Sequence, residues 1–400
     1  MAPAPWGRTK PGQRLCPGVL PTIVAMPTHD VLVRGAGTVG LAAALALARQ
    51  GLRVALLGAT LPAAESAVGS ASSDIRAFAL NAASVRLLSV LKVWDALPAD
   101  ARTPVHDMHI EGDAPGAALD FSAWSQGLAE LAWIVDAAEL ERALLTAATY
   151  APHLQFVSAE VPATLQVLAE GKDSAAREKL GVQMQRHAYG HRAIAARLVS
   201  DQAHAGLARQ WFRHPDVLAL LPLDRPRAGH GYGLVWSVPD ARADELMAMA
   251  EADFTAALMD ATAGAAGTLR VCSARAQWPL AVGQADLVSG PGWVLLGDAA
   301  HVVHPLAGQG LNLGLADVAV LAEEVAACES WRSLADPRLG ARFARRRRGP
   351  TWAMAQVTDG LLQLFAHPAP LAKAVRNRGL SLLNQLPPIK RLLTGRALGG

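Results

Sequence analysis

The sequence predicts an α/β fold, and three observations support this fold class. Residues 30–57 read in order as a strand, a glycine-rich turn, a helix and a second strand. Residues 292–328 repeat the order of strand, glycine-rich loop and helix. Of the 400 residues, 52% are hydrophobic and 18% are charged, so the chain can bury a sizeable core and lacks the composition of a disordered protein.

Charge and cysteine content exclude several classes of protein. The 37 basic and 34 acidic residues give a net charge of +3, which is too weak to indicate a nucleic-acid partner. The three cysteines, at positions 16, 272 and 328, are too few and too scattered for a disulfide framework or a zinc cluster. No apolar stretch reaches the roughly 20 residues of a membrane-spanning helix. We therefore expect a cytoplasmic protein that is not integral to a membrane.

Residues 1–29 differ from the rest of the chain. They are rich in proline and contain no acidic residue. Pro17 and Pro21 interrupt the continuous apolar core that a secretory signal needs. We interpret these residues as a disordered extension, or as the result of a start codon upstream of Met26, with a transit peptide as the alternative.

The first motif is Gly-x-Gly-x-x-Gly in the setting that a dinucleotide requires. A strand over Asp30–Arg34 precedes it, and a helix over Leu41–Gln50, which ends at Gly51, leads to a strand over Arg53–Leu57. The first glycine allows the tight turn, the second lets the backbone approach a pyrophosphate, and the third lets helix and strand pack closely. The amide groups and the positive end of the helix then hold the phosphates. The motif residues are Gly35, Ala36, Gly37, Thr38, Val39 and Gly40.

Two positions near this motif depart from the pattern. An acid that bonds the ribose hydroxyls is expected at the end of the second strand, but that position is Gly58 and the next acid is Glu65. Arg34 also occupies a position where a strand buried on both faces should be apolar. Either the adenosine is held in another way or its affinity is reduced.

A second glycine loop lies in the C-terminal half. A strand over Gly292–Gly297 runs into Asp298, and a helix over Leu311–Cys328 follows a glycine-rich loop. Asp298 is suited either to cap a turn or to accept hydrogen bonds from sugar or ribityl hydroxyls, while the helix start faces an anionic group. His301 and His304 form a loop pair or two metal ligands, but no third ligand lies at a useful spacing, so we predict no metal.

Together these motifs resemble the FAD-dependent aromatic hydroxylases. The sequence is most similar to the ubiquinone-biosynthesis hydroxylases, the UbiH/UbiF/Coq6 family, over residues 29–398. The resemblance rests on the glycine loop, on Asp74–Leu80, on the run from Gly297 to Asp317, and on the segments 208–212, 220–223, 235–237 and 358–365.

The resemblance implies the architecture of para-hydroxybenzoate hydroxylase. In that architecture a Rossmann-type FAD-binding domain is interrupted by a β-rich substrate domain and followed by a C-terminal helical tail. The segments assigned to the FAD-binding domain are 30–107, 161–183 and 285–345, those assigned to the substrate domain are 108–160 and 184–284, and the helical segment is 346–400.

The resemblance also implies roles for individual residues. The hard chemistry belongs to the flavin, so no catalytic side chain is named. The residues implied to bind FAD are Gly35, Ala36, Gly37, Val39, Gly40, Arg76, Gly297, Asp298, Pro305, Gly308, Gln309, Gly310, Leu311 and Asn312. The aromatic residues that either line the substrate chamber or belong to the core are Trp211, Phe212 and Trp236. The histidines that are candidates for a base by residue type only are His106, His109 and His204.

Three further departures from the family concern the cofactor. Glu170 replaces the aspartate of the family's internal Asp-Gly motif, which serves FAD and NAD(P)H in related hydroxylases. Only 16 residues separate His153 from Glu170, where relatives fit several strands, so a hairpin is expected to be lost. Ala137 lies where relatives often have a polar residue that faces FAD.

The function implied by the resemblance is monooxygenation. An FAD-dependent enzyme would hydroxylate a prenylated aromatic ring in ubiquinone biosynthesis, through a flavin C4a-hydroperoxide and with NAD(P)H as co-substrate. One alternative is a hydroxylase of a small phenol or aromatic acid. Another is a degenerate, non-catalytic flavoprotein that acts as a scaffold in a ubiquinone-biosynthesis complex.

The C-terminal segment suggests a second surface. Residues 360–400 contain six Lys or Arg residues and no acid, interleaved with leucines, and Arg345–Arg348 lies upstream. A basic amphipathic helix can lie on an anionic membrane surface, or it can dock on the FAD-binding domain with its basic face outward. We predict docking together with weak peripheral contact at the inner membrane.

Overall fold

A computed structural model describes residues 28–58, 74–112, 117–303, 309–349 and 351. The predictions for residues 1–27, for His304, Pro305 and Gly308, and for the tail beyond residue 351 lie outside these ranges.

The described chain contains eighteen strands, which we number in chain order. They are β1 (His29–Arg34), β2 (Val54–Leu57), β3 (Ala77–Leu80), β4 (Arg102–Val105), β5 (Asp107–Glu111), β6 (Ala118–Ser122), β7 (Ala132–Asp136), β8 (Leu154–Val157), β9 (Ala163–Leu168), β10 (Met184–Ser200), β11 (Leu207–Arg213), β12 (Asp216–Leu223), β13 (Gly231–Pro239), β14 (Leu269–Val271), β15 (Ala276–Ala285), β16 (Ser289–Gly290), β17 (Trp293–Leu295) and β18 (His301–Val302).

Helices occupy the connections between many of these strands. The α-helices are α1 (Thr38–Ala48), α2 (Ala82–Val90), α3 (Ala137–Thr149), α4 (Ala175–Lys179), α5 (Asp240–Ala248), α6 (Glu251–Thr262), α7 (Gln309–Ala326) and α8 (337–349). Short 3-10 turns lie at Trp94–Ala96, Ala99–Ala101, Trp124–Gln126 and Gly297–Ala299.

The first layer is a six-stranded sheet in the order β16-β17-β9-β1-β2-β8. The five strands from β17 to β8 are parallel. Apolar strand residues such as Val31, Val54 and Val167 pack with α1 and α7 in one core, as expected for a sheet whose strands are buried between layers. The predicted strand–turn–helix–strand unit and the predicted helix after the second glycine loop are both present.

The same sheet corrects one predicted domain boundary. β8 pairs in parallel with β2, and α3 buries Leu140 and Leu144 in the core that α1 shares. Residues 137–157 therefore lie with the parallel sheet, whereas we had assigned 108–160 to the substrate domain. The reason is a long-range parallel pairing, which leaves no mark in the local sequence pattern.

The second layer is a nine-stranded sheet in the order β18-β15-β10-β13-β12-β11-β5-β6, with β14 paired to β10. Helices α5 and α6 cover one face, and Trp211 and Trp236 pack there against Phe254 and Leu258. Both tryptophans are essentially fully buried. Of the two alternatives given for these tryptophans, the packing supports a place in the core, because strand alternation turns them toward the helices. Phe212 points the other way but is buried against Leu119 at the sheet's edge.

A three-stranded sheet, β3-β7-β4, lies against the nine-stranded sheet on the face opposite to α5 and α6. Ala77 of β3 approaches Gly233 of β13 so closely that a Cβ on this glycine would lie 3.0 Å from the Ala77 Cβ. Arg197 of β10 donates from Nη2 to the Arg76 carbonyl at 2.7 Å and to Asp136 Oδ2 at 3.0 Å. The small sheet therefore joins the large sheet to the chain segments that surround the glycine loop.

Candidate cofactor-binding site

The glycine loop between β1 and α1 is held by close backbone contacts. Gly35 has φ +98°, and a Cβ there would collide with the Ala169 carbonyl oxygen. A Cβ on Gly40 would collide with the carbonyl oxygen of Gly35. These two glycines are required for the loop to fold, independently of any ligand.

Gly37 differs from the other two motif glycines. Apart from its own chain neighbours and helix backbone, no atom of the described residues lies within 4 Å of a Cβ built there. Gly37 is also the N-cap of α1, and no side chain in the described ranges caps this terminus, so these residues leave the first-turn amides available to a ligand. The open space beside uncapped amides is what a pyrophosphate needs. Val39 instead points inward, and its side chain contacts the positions of Gly297 and Gly314.

The turn at Gly297 and the adjoining His301 are held by one buried carboxylate for which sequence analysis gave no role. Asp317 of α7 accepts from the Gly297 amide at 2.8 Å, from His301 Nε2 at 2.7 Å and from Arg347 Nε at 2.5 Å. Burial alone would raise the pKa of Asp317, but these donors outweigh it and lower the pKa. The available signal was an acid flanked on both sides by apolar residues in the middle of α7.

His301 is thereby a partner of Asp317. Its Nδ1 is buried and has no hydrogen-bond partner among the described residues. No group of three metal-ligating side chains occurs in the described ranges. The suggestion that His301 and His304 bind a metal therefore gains no support from the part of the chain that is described.

Asp298 lies directly after the Gly297 turn and has a different environment. Its side chain is exposed, and its carboxylate has no hydrogen bond to any described residue. Surrounding protein nevertheless raises the pKa of Asp298 by desolvation, against the opposing influence of His301, Lys172 and Arg76. An accessible acceptor beside positive groups suits the hydroxyls of a bound ligand.

Arg76 connects this acid to an aromatic pair. Hydrogen bonding to Asp74, at 2.7 Å from Nη2, raises the pKa of Arg76, and the nearby charge of Asp298 acts in the same direction. The guanidinium carbon lies 5.4 Å from the ring centroid of Phe78 and 5.9 Å from that of Trp278. Trp278, which sequence analysis did not select, is 36% exposed and lies at the junction of the two layers.

The start of α7 is fixed by Asn312. Its Oδ1 accepts from the Asn81 amide at 3.0 Å and from Ser84 Oγ at 2.7 Å, and its Nδ2 donates to the Ala79 carbonyl at 2.8 Å. Asn312 thus positions the helix start through its side chain. Leu311 packs on the core of the parallel sheet, whereas among the described residues a Cβ on Gly310 would touch Val303 alone.

Ion pairs lie at two of the positions that depart from the expected pattern, Arg34 and Ala137. Arg34 is 11% exposed and pairs with Glu160 at 2.8 Å and with Glu170 at 3.2 Å, which explains an arginine at the end of a buried strand. Beside Ala137, the buried Arg197 pairs with Asp136. Gly58 has φ +98° and faces Gly35 and Ala36, and β2 thus ends without a ribose acid.

The three candidate histidines lie on the nine-stranded sheet or in the chain next to its strands β5 and β11. His106 Nδ1 lies 3.1 Å from the Ala129 carbonyl. His109 Nδ1 lies 2.6 Å from Asp120 Oδ1. His204 is buried, and this burial lowers its pKa. The rings of His106 and His109 each lie within hydrogen-bond distance of a neighbouring group, and the ring of His204 is buried. The role of these histidines as a base stays a prediction.

Small side chains line the face of the nine-stranded sheet opposite to α5 and α6, which we call the small-residue face. The strand registers bring Ala195, Val235 and Ala219 into one row and Ala193, Ser237 and Val217 into the next. Trp278 pairs with Ala193 at the end of the second row. These rows therefore place short side chains on the sheet beside the Arg76 cluster.

Comparison with known proteins agrees with this geometry. The family described as FAD binding domain matches residues 28–166 and 146–358. Ubiquinone hydroxylase UbiL of Rhodospirillum rubrum is 33% identical, over 92% of this chain and 89% of its own. The 3-demethoxyubiquinol 3-hydroxylase of Escherichia coli is 29% identical, over 93% and 99%. The structure of PqsL from Pseudomonas aeruginosa superposes with a TM-score of 0.71 at 20% identity, over 88% and 99%.

The glycine loop after β1 and the turn at Gly297 fit an FAD. Gly37 and the start of α1, which no described side chain caps, suit the pyrophosphate, and the accessible carboxylate of Asp298 suits the flavin side chain. The predicted FAD contacts of the individual residues remain predictions, and two of them are tested as follows.

Replacing Gly37 should remove FAD without unfolding the protein. Gly37→Val places its side chain in the open space where the pyrophosphate would lie, so we expect folded protein without flavin absorbance. Gly40→Ala is the control, because its Cβ meets backbone and should lower the melting temperature of the apoprotein. Full FAD content in Gly37→Val would contradict the assignment of this loop.

Replacing Asp298 should have opposite effects on binding and stability. Asp298→Asn should weaken FAD binding by about 1.5–3 kcal/mol, the range for a charged hydrogen bond. Because the folded-state pKa is raised, the ionised group destabilises the fold above that pKa. The apoprotein variant should therefore melt higher at pH 7, with the gain vanishing as the pH falls through the raised pKa of Asp298 to below the ordinary aspartate pKa. Normal FAD binding with a lower melting temperature would make Asp298 a structural cap.

Proposed function

The chain belongs to the FAD-binding domain family, and on this basis we propose that it is an FAD-dependent monooxygenase that hydroxylates the aromatic ring of a ubiquinone precursor. The observation that carries the proposal is the junction at Arg76. There Asp298, whose carboxylate has no hydrogen bond to a described residue, lies near Arg76, and Arg76 contacts Trp278 beside a face of small side chains.

The cofactor supplies the redox chemistry when it is bound: reduced by NAD(P)H, it activates dioxygen to insert one oxygen atom into the ring. The chain's own residues would bind the cofactor and orient it. The α1 terminus holds phosphate, Asp298 accepts from hydroxyls, and the start of α7 presents the positive end of its dipole to negative charge. The tie from Arg197 to the Arg76 carbonyl keeps the large sheet over the site.

The small-residue face supports a bulky apolar substrate. Ala195, Ala219 and Val235 leave a surface with little side-chain volume, and Trp278 borders it with an exposed ring. A prenylated aromatic ring could lie on such a surface with apolar contact and exclusion of water. A small phenol would fill less of it, which favours the prenylated substrate over the first alternative.

Turnover with defined substrates tests the proposal. Purified protein loaded with FAD is expected to consume NAD(P)H and oxygen and to add one oxygen atom to a polyprenylated phenol, measured by mass spectrometry. Val235→Phe should cut this turnover at least tenfold at unchanged FAD content, since the new ring occupies the small-residue face. Val90→Phe, at a position 61% exposed on α2, is the matched control.

Two other outcomes of the turnover experiment would favour the alternative functions, a hydroxylase of small phenols or a non-catalytic scaffold. Efficient hydroxylation of small phenols, with Val235→Phe as active as the parent protein, would indicate a small aromatic substrate. A flavin-loaded protein that oxidises no NAD(P)H with any aromatic ring would indicate a scaffold in a biosynthetic complex. The missing acid at Gly58 is the observation that keeps the scaffold as a second candidate.

We also propose weak peripheral contact with an anionic membrane. Within the described ranges no helix is long and apolar enough to cross a bilayer. Of the basic run at 345–348, Arg346 pairs with Glu323 and Glu324 and Arg347 with Asp317. That run therefore contributes less positive surface than its composition indicates, and the contact depends on the six basic residues of 360–400.

Vesicle binding tests this contact. The full-length protein should co-sediment with anionic vesicles at low salt and be released at high salt, because each basic residue near the surface contributes about 1 kcal/mol within a Debye length. A variant with Lys390 and Arg391 changed to Gln should bind more weakly. Equal binding to neutral and anionic vesicles would refute the electrostatic contact.

A further inference from the structure

Three departures from the family pattern meet at one point. Arg34 at the end of β1, Glu170 after β9 and Glu160 in the short connection from β8 to β9 form a single ion cluster. We propose that this Glu160–Arg34–Glu170 cluster is the positioning element of the FAD-binding glycine loop, in place of the expected hairpin. The proposal rests on FAD binding but not on the identity of the substrate.

Arg34 lies next to the loop that would contact the pyrophosphate. Its carbonyl accepts from the Ala169 amide at 2.8 Å, and the following Gly35 donates to the Leu57 carbonyl at 2.9 Å. A side chain on Gly35 would clash with Ala169 and Glu170, so the loop after β9 is in van der Waals contact with the glycine loop. Any shift of Glu170 is therefore transmitted directly to Gly35.

Glu170 uses both carboxylate oxygens. Oε1 accepts from Arg34 Nε at 3.2 Å, while Oε2 accepts from Ser174 Oγ at 2.6 Å and from the Ala176 amide at 3.1 Å. Burial alone would raise the pKa of Glu170, but these donors lower it. The extra methylene relative to aspartate lets one carboxylate hold the start of α4 and still reach β1.

Glu160 reaches Arg34 because its segment crosses the sheet. β8 ends at Val157, level with Leu57, and β9 begins at Ala163, level with His29. The connection must cross three strand spacings and about five residues of strand length, roughly 20 Å in all. Six steps of extended chain cover about that distance. The chain bends at Ser158 and Ala159 and then runs without regular structure to β9, and the middle residue of the segment, Glu160, is tied to Arg34 Nη1 at 2.8 Å.

The cluster thus connects three of the strands whose carboxyl ends form the cofactor edge. An arginine without its carboxylates, or a carboxylate without its arginine, would leave a partly buried charge unpaired. The arrangement acts on FAD through the position of the Gly35 backbone, and no member of the cluster needs to touch the cofactor.

The test compares two ion pairs in one sheet. Arg34→Leu should raise the FAD dissociation constant about tenfold or more, in line with loss of charged hydrogen bonds. Arg53→Leu, which breaks the pair with Asp30 beside the opposite ends of the strands, should leave it within twofold. Dissociation constants are measured by flavin fluorescence on apoprotein well below its melting temperature. This readout needs no turnover, so the proposal and the proposed hydroxylation fail separately.

Two further variants keep the proposal falsifiable if Arg34→Leu does not fold. Arg34→Leu combined with Glu170→Gln should recover part of the affinity, because no unpaired carboxylate remains, and Arg34→Lys should bind more tightly than Arg34→Leu. Glu160→Gln should weaken FAD about threefold. The proposal is overturned if Arg34→Leu and Glu160→Gln both bind FAD like the parent, or if Arg53→Leu weakens binding as much as Arg34→Leu.

Discussion

The buried carboxylate of Asp317 is the interaction on which the site depends. Burying an ion costs several kcal/mol, and the cost is offset only when every lone pair has a donor. Here the donors come from three separate places: the Gly297 turn, His301 and Arg347 of α8. One charge therefore determines the backbone of the turn before Asp298, the ring position of His301 and the docking of α8 on α7. Because Asp317 accepts the Gly297 amide, His301 and Arg347, these donors are not used by Asp298, whose carboxylate is exposed.

Local chemistry made part of this structure predictable. The strand–turn–helix–strand unit was predicted correctly, because its Gly-x-Gly-x-x-Gly pattern is required by close contacts of Gly40 with Gly35 and of Gly35 with Ala169. The predicted helix after the second glycine-rich loop is also present, whereas most of that loop lies outside the described residues. The FAD-binding family and the hydroxylase assignment followed from the same motifs, and the comparisons confirmed them. The individual contacts of Arg76, Asp298 and Asn312 with FAD stay predictions, although the structure shows Asn312 bonded to the start of α2.

What the sequence could not reveal depends on long-range geometry. The place of α3 and β8 is set by parallel pairing with β2, which no local pattern records. For Trp211 and Trp236 the sequence left open whether they line the substrate chamber or belong to the core. Their side chains point to the face of the sheet that α5 and α6 cover, and the sequence does not show which face that is. Arg34 looked anomalous because its partners, Glu160 and Glu170, are more than a hundred residues away.

The order of strands in the parallel sheet has a consequence for synthesis of the chain. β1 pairs on one side with β2, which follows soon after it, but on the other side with β9, and β9 pairs in turn with β17. The open edges of this sheet persist until almost three quarters of the chain has left the ribosome. Such non-local pairing slows folding and exposes strand edges to aggregation. The nine-stranded sheet is completed no earlier, because only β5–β6, β11–β12 and β12–β13 join consecutive strands. β10 pairs with β13, β14 and β15, and β18 follows β17 in the chain. Both sheets therefore close only after most of the chain has been synthesised.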